Sequence, residues 1–126
     1  MIKTLVQTTL DTALYTSKGI LSYDQKKSGA DADQYIVYSQ SGDSEEFHAD
    51  DTVLVKAGSY TVRYYYRKEK LDTYAGRQDK KAVEDLIENS MRAAGFTLPA
   101  GRFDGGDIDD IGYMVTIFEF EYWRAV

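Results

Sequence analysis

Few residues in this sequence could carry out chemistry, and the first candidate is its only histidine. His48 stands shortly before Asp50 and Asp51. A histidine acts as a general base only when a nucleophile or a substrate group lies within hydrogen-bond reach, and the sequence offers no such partner. We therefore predict an ordinary histidine near the end of a strand, and no catalytic residue in this chain.

An acidic segment further along resembles a calcium-binding loop at first sight. It contains Asp104, Asp107, Asp109 and Asp110. An EF-hand loop needs oxygen ligands at alternate positions and a glutamate at its twelfth position. When the count starts at Asp104, the third position is Gly106 and the twelfth is Val115, so the pattern fails. We predict a solvated acidic turn and no metal site.

Basic residues interleaved with tyrosines form the third candidate. They are Arg63, Arg67, Lys68 and Lys70. Aromatic and basic side chains on one strand suit the stacking of single-stranded nucleic acid. The formal net charge of −6 argues against a protein whose main task is to bind phosphate backbones. No glycine-rich segment ends in Gly-Lys-Ser/Thr, so we predict no phosphate-binding loop and no cofactor-binding residue.

Length and composition favour one folded domain over residues 1–126. The chain has 126 residues, 43% of them hydrophobic, which is enough for a core. It has no cysteines, so it forms neither a disulfide nor a thiolate metal site. No run approaches about 18 apolar residues, and the N-terminus lacks the pattern of a signal peptide. We expect no membrane segment and a cytosolic origin.

The clearest secondary-structure signal is an amphipathic helix over residues 79–96. Its apolar stripe consists of Val83, Leu86, Ile87, Ser90, Met91 and Ala94. This spacing places the stripe on one helical face, with Glu88 and Arg92 able to pair on the opposite side. Asp79 is the predicted N-cap, and Gly95 occupies the position of a left-handed C-terminal cap. Such a helix needs a sheet to cover.

Before this helix we predict a second helix, a long connection and several strands. Apolar spacing indicates a helix over residues 2–14, followed by a long flexible polar connection over about 16–34 that could include a short extended piece at 20–23. Strands are predicted at 35–39, 45–48, 53–55 and 60–67, with turns at 41–44 and 57–59.

Alternation in the last of these strands predicts its two faces. Tyr60, Val62, Tyr64 and Tyr66 should meet the helices, whereas Thr61, Arg63, Tyr65 and Arg67 should face water. Residues 68–78 should connect this strand to the helix, with a bend at Gly76.

The remaining residues predict an interrupted extended segment, a turn and a final strand. Residues 96–103 contain Pro99, which cannot donate to a ladder, and 104–107 have the composition of a turn. Residues 113–123 form a strongly hydrophobic strand that should lie centrally in the sheet. The predicted fold class is α+β, with a mainly antiparallel sheet and two helices packed on one face.

Taken in order, these parts resemble the tail-completion, or tail-terminator, proteins of long-tailed bacteriophages and prophages. The segments that carry the resemblance are Tyr35-Ile36-Val37-Tyr38, Ala49-Asp50-Asp51, Tyr60 to Arg67, Ala93-Ala94-Gly95-Phe96 and Val115 to Tyr122. The resemblance implies an α+β subunit that assembles into a ring, expected to be a hexamer. The ring would cap the tail tube and dock to the head connector, after assembly in the host cytoplasm.

The resemblance also implies a structural role in the virion without catalytic residues. A ring requires two different matching faces on each subunit, and Tyr65 and Tyr113 are expected to be exposed for that purpose. Two alternatives remain open. One is another phage neck protein, such as a head-completion or connector subunit, and the other is a small module that binds a peptide or single-stranded nucleic acid through residues 60–67.

Overall fold

One mixed sheet organises the chain. The structure is a computed structural model that describes residues 2–25, 32–42, 45–49, 52–107 and 112–125. The strands are β1 (Ser22–Asp24), β2 (Gln34–Gly42), β3 (Glu45–Ala49), β4 (Thr52–Arg67), β5 (Phe96–Thr97), β6 (Arg102–Asp107) and β7 (Tyr113–Ala125). The main path through the sheet is β1-β2-β4-β7-β5, with β3 paired to β4 and β6 paired to β7. All pairs are antiparallel except β1 with β2.

Strand β4 is the axis of the sheet. Its second half pairs with β2 and its first half with β3, so β2 and β3 lie end to end along one side of it. Strand β7 pairs with β4 along the other side, from Leu54 opposite Ala125 to Arg67 opposite Tyr113. Strand β7 also pairs with β5 and β6, which confirms its predicted central position.

Two helices cover one face of this sheet. The N-terminal helix spans residues 2–18 and contains a π-helical turn at Asp11–Tyr15, and the long helix is Tyr74–Ala93. The shared core contains the helix residues Val6, Leu10, Leu14, Val83, Ile87 and Met91 and the sheet residues Tyr60, Val62, Tyr64, Tyr66, Phe118 and Phe120. The α+β class and the predicted inner face of residues 60–67 are thereby confirmed.

The long helix keeps its predicted apolar stripe but begins earlier than predicted. It starts at Tyr74, where the Thr73 hydroxyl accepts the backbone N–H of Gly76 at 3.0 Å. Thr73, not Asp79, is therefore the N-cap. The predicted bend at Gly76 is also wrong, because Gly76 lies in the first helical turn. A Cβ at this position would collide with the Lys70 carbonyl, so the turn is tight enough to require glycine.

The far end of the long helix agrees with the prediction. Gly95 adopts a φ of 103°, as expected for a left-handed cap. Glu88 accepts a hydrogen bond from Arg92 at 3.1 Å on the exposed side. Phe96 follows the cap and is buried against Phe120 and Tyr122.

Two predicted turns lie within strands, and so does the described part of a third. Residues 57–59 belong to β4, where the register shifts between Lys56 and Gly58. Residues 104–107 belong to β6, which shifts register between Asp104 and Gly106. Gly42 still belongs to β2, while residues 43 and 44 lie outside the described residues. At both register shifts a small residue provides a β-bulge instead of a chain reversal, because the long neighbouring strand β7 keeps the backbone paired.

The predicted connection over residues 16–34 is too long. The N-terminal helix continues to Lys18, and residues 22–24 form the parallel edge strand β1. Residues 26–31 of this connection lie outside the described residues.

Candidate interaction surfaces

The sheet face opposite the helices carries a cluster of tyrosines. The Tyr35 ring stacks on Tyr65 with centroids 4.8 Å apart and contacts Tyr113 edge-on at 5.4 Å. The Tyr113 hydroxyl donates to the Ala32 carbonyl at 2.5 Å, so the chain just before β2 reaches over this face. Tyr23 and Val37 complete the cluster.

This cluster corrects the expectation that Tyr65 and Tyr113 are exposed. Tyr113 is only 5% exposed, and Tyr65 is partly buried. Thr61, on the same face, is 4% exposed although its position was predicted to face water. The alternation of side chains along the strand assigned these residues to the correct sheet face. It could not show that side chains of neighbouring strands cover them on this face, where no helix packs.

Two arginines flank Tyr65 on this face, and we call Arg63, Tyr65 and Arg67 the arginine stripe. All three side chains are partly exposed. The Arg67 guanidinium lies 4.5 Å from the centroid of the Tyr113 ring, a cation–π contact. Within the described part of the chain, neither Arg63 nor Arg67 forms a salt bridge with a carboxylate. The stripe is a partly exposed surface of basic and aromatic side chains.

At its other end β4 continues beyond its pairing with β2, which ends at Ser59. Gly95, just after the long helix, lies against Tyr122, which pairs with Gly58 of β4. Residues 52–56 of β4 continue for roughly 17 Å further, at about 3.4 Å per residue. We call β3 together with residues 52–56 the sheet extension. Strand β3 pairs with these residues of β4 from Glu45 opposite Lys56 to Ala49 opposite Thr52.

Ionisable side chains converge at one buried position between the long helix and the sheet. Glu84 is 6% exposed and accepts hydrogen bonds from the Thr116 hydroxyl at 2.5 Å and from Lys80 at 2.9 Å. Burial alone would lower the pKa of Lys80, but its hydrogen bond to Glu84 and the nearby negative charges outweigh burial, so this pKa is raised. A cavity of about 180 Å³ adjoins these residues and is also lined by Arg102, Phe103 and Asp104.

The residue types in this cluster would suit acid–base chemistry, but the cluster is buried as core residues are. Thr116 is 1% exposed, so its hydroxyl does not reach solvent. Glu84 already receives two donors, and Lys80 lies between Glu84 and Asp104, 3.5 Å from the latter. These polar groups are hydrogen-bond and ion-pair partners of one another, as buried polar groups in stable folds are. The arrangement stabilises the contact between helix and sheet.

A second charged group joins the two helices near the arginine stripe. Asp79 accepts hydrogen bonds from Lys70 at 2.5 Å and from Lys18 at 3.0 Å. These interactions, first that of Lys70, lower the pKa of Asp79. An open cavity of about 670 Å³ lies beside Lys70 and Arg67, lined in addition by Asp33, Gln34 and Glu69. Sequence inspection identified neither this group nor the one at Glu84, because Lys18 and Thr116 are far along the chain from the carboxylates that they contact.

The residues first considered for chemistry do not come together. His48 lies in β3 opposite Val53, and Asp104 and Asp107 lie in β6. Residues 50, 51, 109 and 110 are outside the described part of the chain. In the part that is described, no group of three or more histidine, cysteine, aspartate or glutamate residues could hold a metal ion.

Comparisons add no identification to this picture. No protein-family model matches the chain, and none of the curated proteins does. Over the described residues, neither helix is long and apolar enough to cross a membrane.

Proposed function

We propose that this chain is a structural subunit of a long-tailed phage or prophage, acting in tail completion at the junction of head and tail. The order of its parts resembles that of tail-completion proteins. The observation that carries the proposal is the division of the subunit into two sides. Both helices pack on one sheet face, whereas the arginine stripe lies on the opposite face beside the tyrosine cluster.

This division suits a protein that works by assembly. A ring subunit needs two different surfaces, one for each neighbour, and further surfaces for the tail tube and the connector. The stripe and the extension lie at opposite ends of the same strand, β4. We propose a ring, expected to be a hexamer, on the tail of the virion.

The alternative of nucleic-acid binding receives less support. Stacking of bases requires exposed ring faces. Tyr35 and Tyr113 are 9% and 5% exposed, and Tyr35 already stacks on Tyr65. The arginines of the stripe and the neighbouring Lys68 could contact a phosphate backbone, but the chain as a whole has a net charge of −6.

Deletion of the gene in its phage tests the proposal. Electron microscopy of the lysate should show heads and tails that are unjoined, or tails of uncontrolled length. Expression of the protein in trans should restore complete particles. Normal, infectious virions from the deletion would refute the proposed function.

A further inference from the structure

Two edges of the sheet have no strand beside them in the described part of the chain. Strand β1 pairs only with β2, and β6 pairs only with β7. Each of these strands therefore has one side whose backbone N–H and C=O groups face no described strand. Such an edge can accept a further strand, either from another protein or from a second copy.

The backbone groups at the β1 edge can be assigned from the hydrogen bonds on its other side. The Leu21 carbonyl accepts a hydrogen bond from β2 at 3.0 Å, and the Gln25 N–H donates one to β2 at 2.7 Å. Because backbone direction alternates along a strand, the N–H and C=O groups of Ser22 and Asp24 point away from β2. Strand β1 thus presents a short edge of three residues, Ser22–Asp24.

The β6 edge is regular over the same length. A register shift between Asp104 and Gly106 interrupts its ladder with β7, so only Arg102, Phe103 and Asp104 form a regular edge. Two of these residues are well exposed, Phe103 by 46% and the Asp104 side chain by 71%. The bulge limits pairing to these three positions, because a bulged strand twists away from a new neighbour.

Strand directions decide how a second copy would fit. Strand β1 is parallel to β2, and each of the steps from β2 to β4, β7 and β6 is antiparallel, so β6 runs opposite to β1. When two copies lie side by side in the same orientation, β6 of one meets β1 of the next as an antiparallel pair. The helices of both copies then lie on the same side of the sheet. Because the two edges differ, the contact can repeat from copy to copy.

The residues on the two edges match in register and in chemistry. Followed across the ladder through β2, β4 and β7, the edge residues stand level in three pairs: Tyr23 with Phe103, Asp24 with Arg102, and Ser22 with Asp104. An unshifted pairing of two copies therefore sets an aromatic ring beside an aromatic ring and a carboxylate beside a guanidinium. Cross-strand pairs of both kinds stabilise antiparallel sheets.

The third pair involves an atom that lacks a partner. The Ser22 hydroxyl is buried and forms no hydrogen bond with any described residue. In the unshifted pairing the Asp104 carboxylate of the next copy stands opposite this hydroxyl and would accept its hydrogen bond. The charged pair would add to existing interactions, since Asp24 already forms a salt bridge with Lys3 and Arg102 one with Asp85.

We propose that β6 of one copy pairs antiparallel with β1 of the next copy, with Phe103 opposite Tyr23. This contact deepens the proposed function, on which it rests for the place of the assembly in the virion. An unshifted register gives no displacement along the strands from one copy to the next, and this favours a closed ring over an open helix. The pairing would supply the heterologous interface that a ring subunit needs.

Disulfide formation between the two edges tests the pairing. The chain has no cysteine, and opposite residues of an antiparallel pair bring their Cβ atoms to roughly 4.5 to 5.5 Å, near the range of a disulfide. Within one copy, positions 23 and 103 are four strand spacings apart, roughly 19 Å, so a disulfide between them must join two copies. After mild oxidation at hundreds of micromolar, a chain with Tyr23→Cys and Phe103→Cys should form a ladder of covalent oligomers that ends at one largest size.

Mass spectrometry identifies the bond that forms, which should join positions 23 and 103. Each single variant alone should stay mostly monomeric, because the proposed pairing brings neither position close to its own counterpart in another copy. The matched control combines Phe103→Cys with Ala82→Cys, which places the second thiol at an exposed position of the long helix. This control should form no ladder.

A charge on the β6 edge tests the same contact without a cross-link. Phe103→Lys should weaken self-association at least about fivefold in sedimentation velocity, because a lysine on an edge strand opposes pairing. Tyr74→Lys, which makes the same charge change at a 71%-exposed aromatic residue of the long helix, should associate like the parent. Tyr23→Glu added to Phe103→Lys sets opposite charges level with each other and should recover association to within about threefold of the parent. Circular dichroism checks that the variants fold.

Several results would overturn the pairing. A parent protein that is monomeric at hundreds of micromolar would do so, as would a folded double-cysteine variant without the bond between positions 23 and 103. Dimers from Phe103→Cys alone would indicate instead that two β6 edges pair across a two-fold axis. The gene-deletion experiment is separate. Unjoined particles without the disulfide would keep the function and remove the contact, whereas covalent rings together with normal virions from the deletion would keep the contact and remove the function.

Discussion

Removal of the Thr116 hydroxyl should destabilise the protein far more than the small size of this group suggests. In the Thr116→Val variant the buried Glu84 carboxylate loses a donor that lies 2.5 Å away. Because Glu84 is 6% exposed, water cannot easily replace this hydrogen bond. The Lys80 ammonium would remain as its one strong partner, at 2.9 Å.

The magnitude follows from the charge and the burial. A hydrogen bond to a charged group contributes about 1.5 to 3 kcal/mol, and valine nearly matches threonine in shape. For a chain of this length the melting temperature should fall by roughly 5 to 12 °C. The double variant Glu84→Leu with Thr116→Val removes both partners of the hydrogen bond. Its loss of unfolding free energy should therefore be smaller, by at least about 1 kcal/mol, than the sum of the losses in the two single variants. Lys80 would keep Asp104 nearby.

Urea unfolding followed by circular dichroism measures these differences. Thr97→Val is the matched control, because the Thr97 hydroxyl donates to the Glu121 carbonyl at 3.3 Å from an exposed position. This control should change the free energy of unfolding by less than about 0.5 kcal/mol. If Thr116→Val behaved like the control, the buried network would not stabilise the contact between helix and sheet.

Three further predictions test the packing and the charges. Met91→Asp places a charge at a position that is 0% exposed, so it should lower the free energy of unfolding by about 3 to 5 kcal/mol, measured by thermal or urea unfolding. The control Asn89→Asp, on the exposed side of the same helix, should leave this free energy nearly unchanged. Gly105→Ala should lower the free energy of unfolding by more than about 1 kcal/mol, because its Cβ would come within 2.5 Å of the Val115 side chain on the neighbouring strand. A variant as stable as the parent would argue against the bulge. Asp79→Asn should lower the free energy of unfolding at pH 7 by at most about 1 kcal/mol, since this carboxylate is a third exposed. Lysine hydrogen bonds, first that of Lys70, lower the native pKa of Asp79, so its contribution is present above pH of about 4 and lost as pH falls through the native pKa. A difference in stability that did not shrink as the pH falls below about 4 would contradict this cause.

The sequence predicted those parts of the fold in which one local pattern decides the structure. The stripe of the long helix repeats at helical spacing, and Val83, Ile87 and Met91 are all fully buried as that spacing requires. The alternation in residues 60–67 assigned the inner face correctly for the same reason. Such patterns reflect burial on a single side.

The errors arose where a long partner strand overrode local composition. Residues 57–59 and 104–107 have turn composition, yet pairing with β7 holds both in the sheet as bulges. Gly76 was interpreted as a bend because glycine often interrupts a helix, whereas here it permits a close approach of the helix to the Lys70 carbonyl. Local composition carries no information about such neighbours.

The interaction surfaces were the least predictable part. Glu84 and Thr116 are 32 positions apart, so nothing local marks them as a pair. The arginine stripe was recognised as a basic and aromatic strand, but its separation from β3, which pairs with the other end of β4, could not be predicted from the residues. That relation appears only when the strand order is known.

Comparison of particles made with and without this protein tests the proposed function most directly. Electron microscopy of a lysate from a phage that lacks the gene should show unjoined heads and tails or tails of uncontrolled length. A copy supplied in trans should restore complete particles, and a copy with Met91→Asp should not, because that variant is expected to lose its fold. Complete, infectious particles in the absence of the protein would contradict the account.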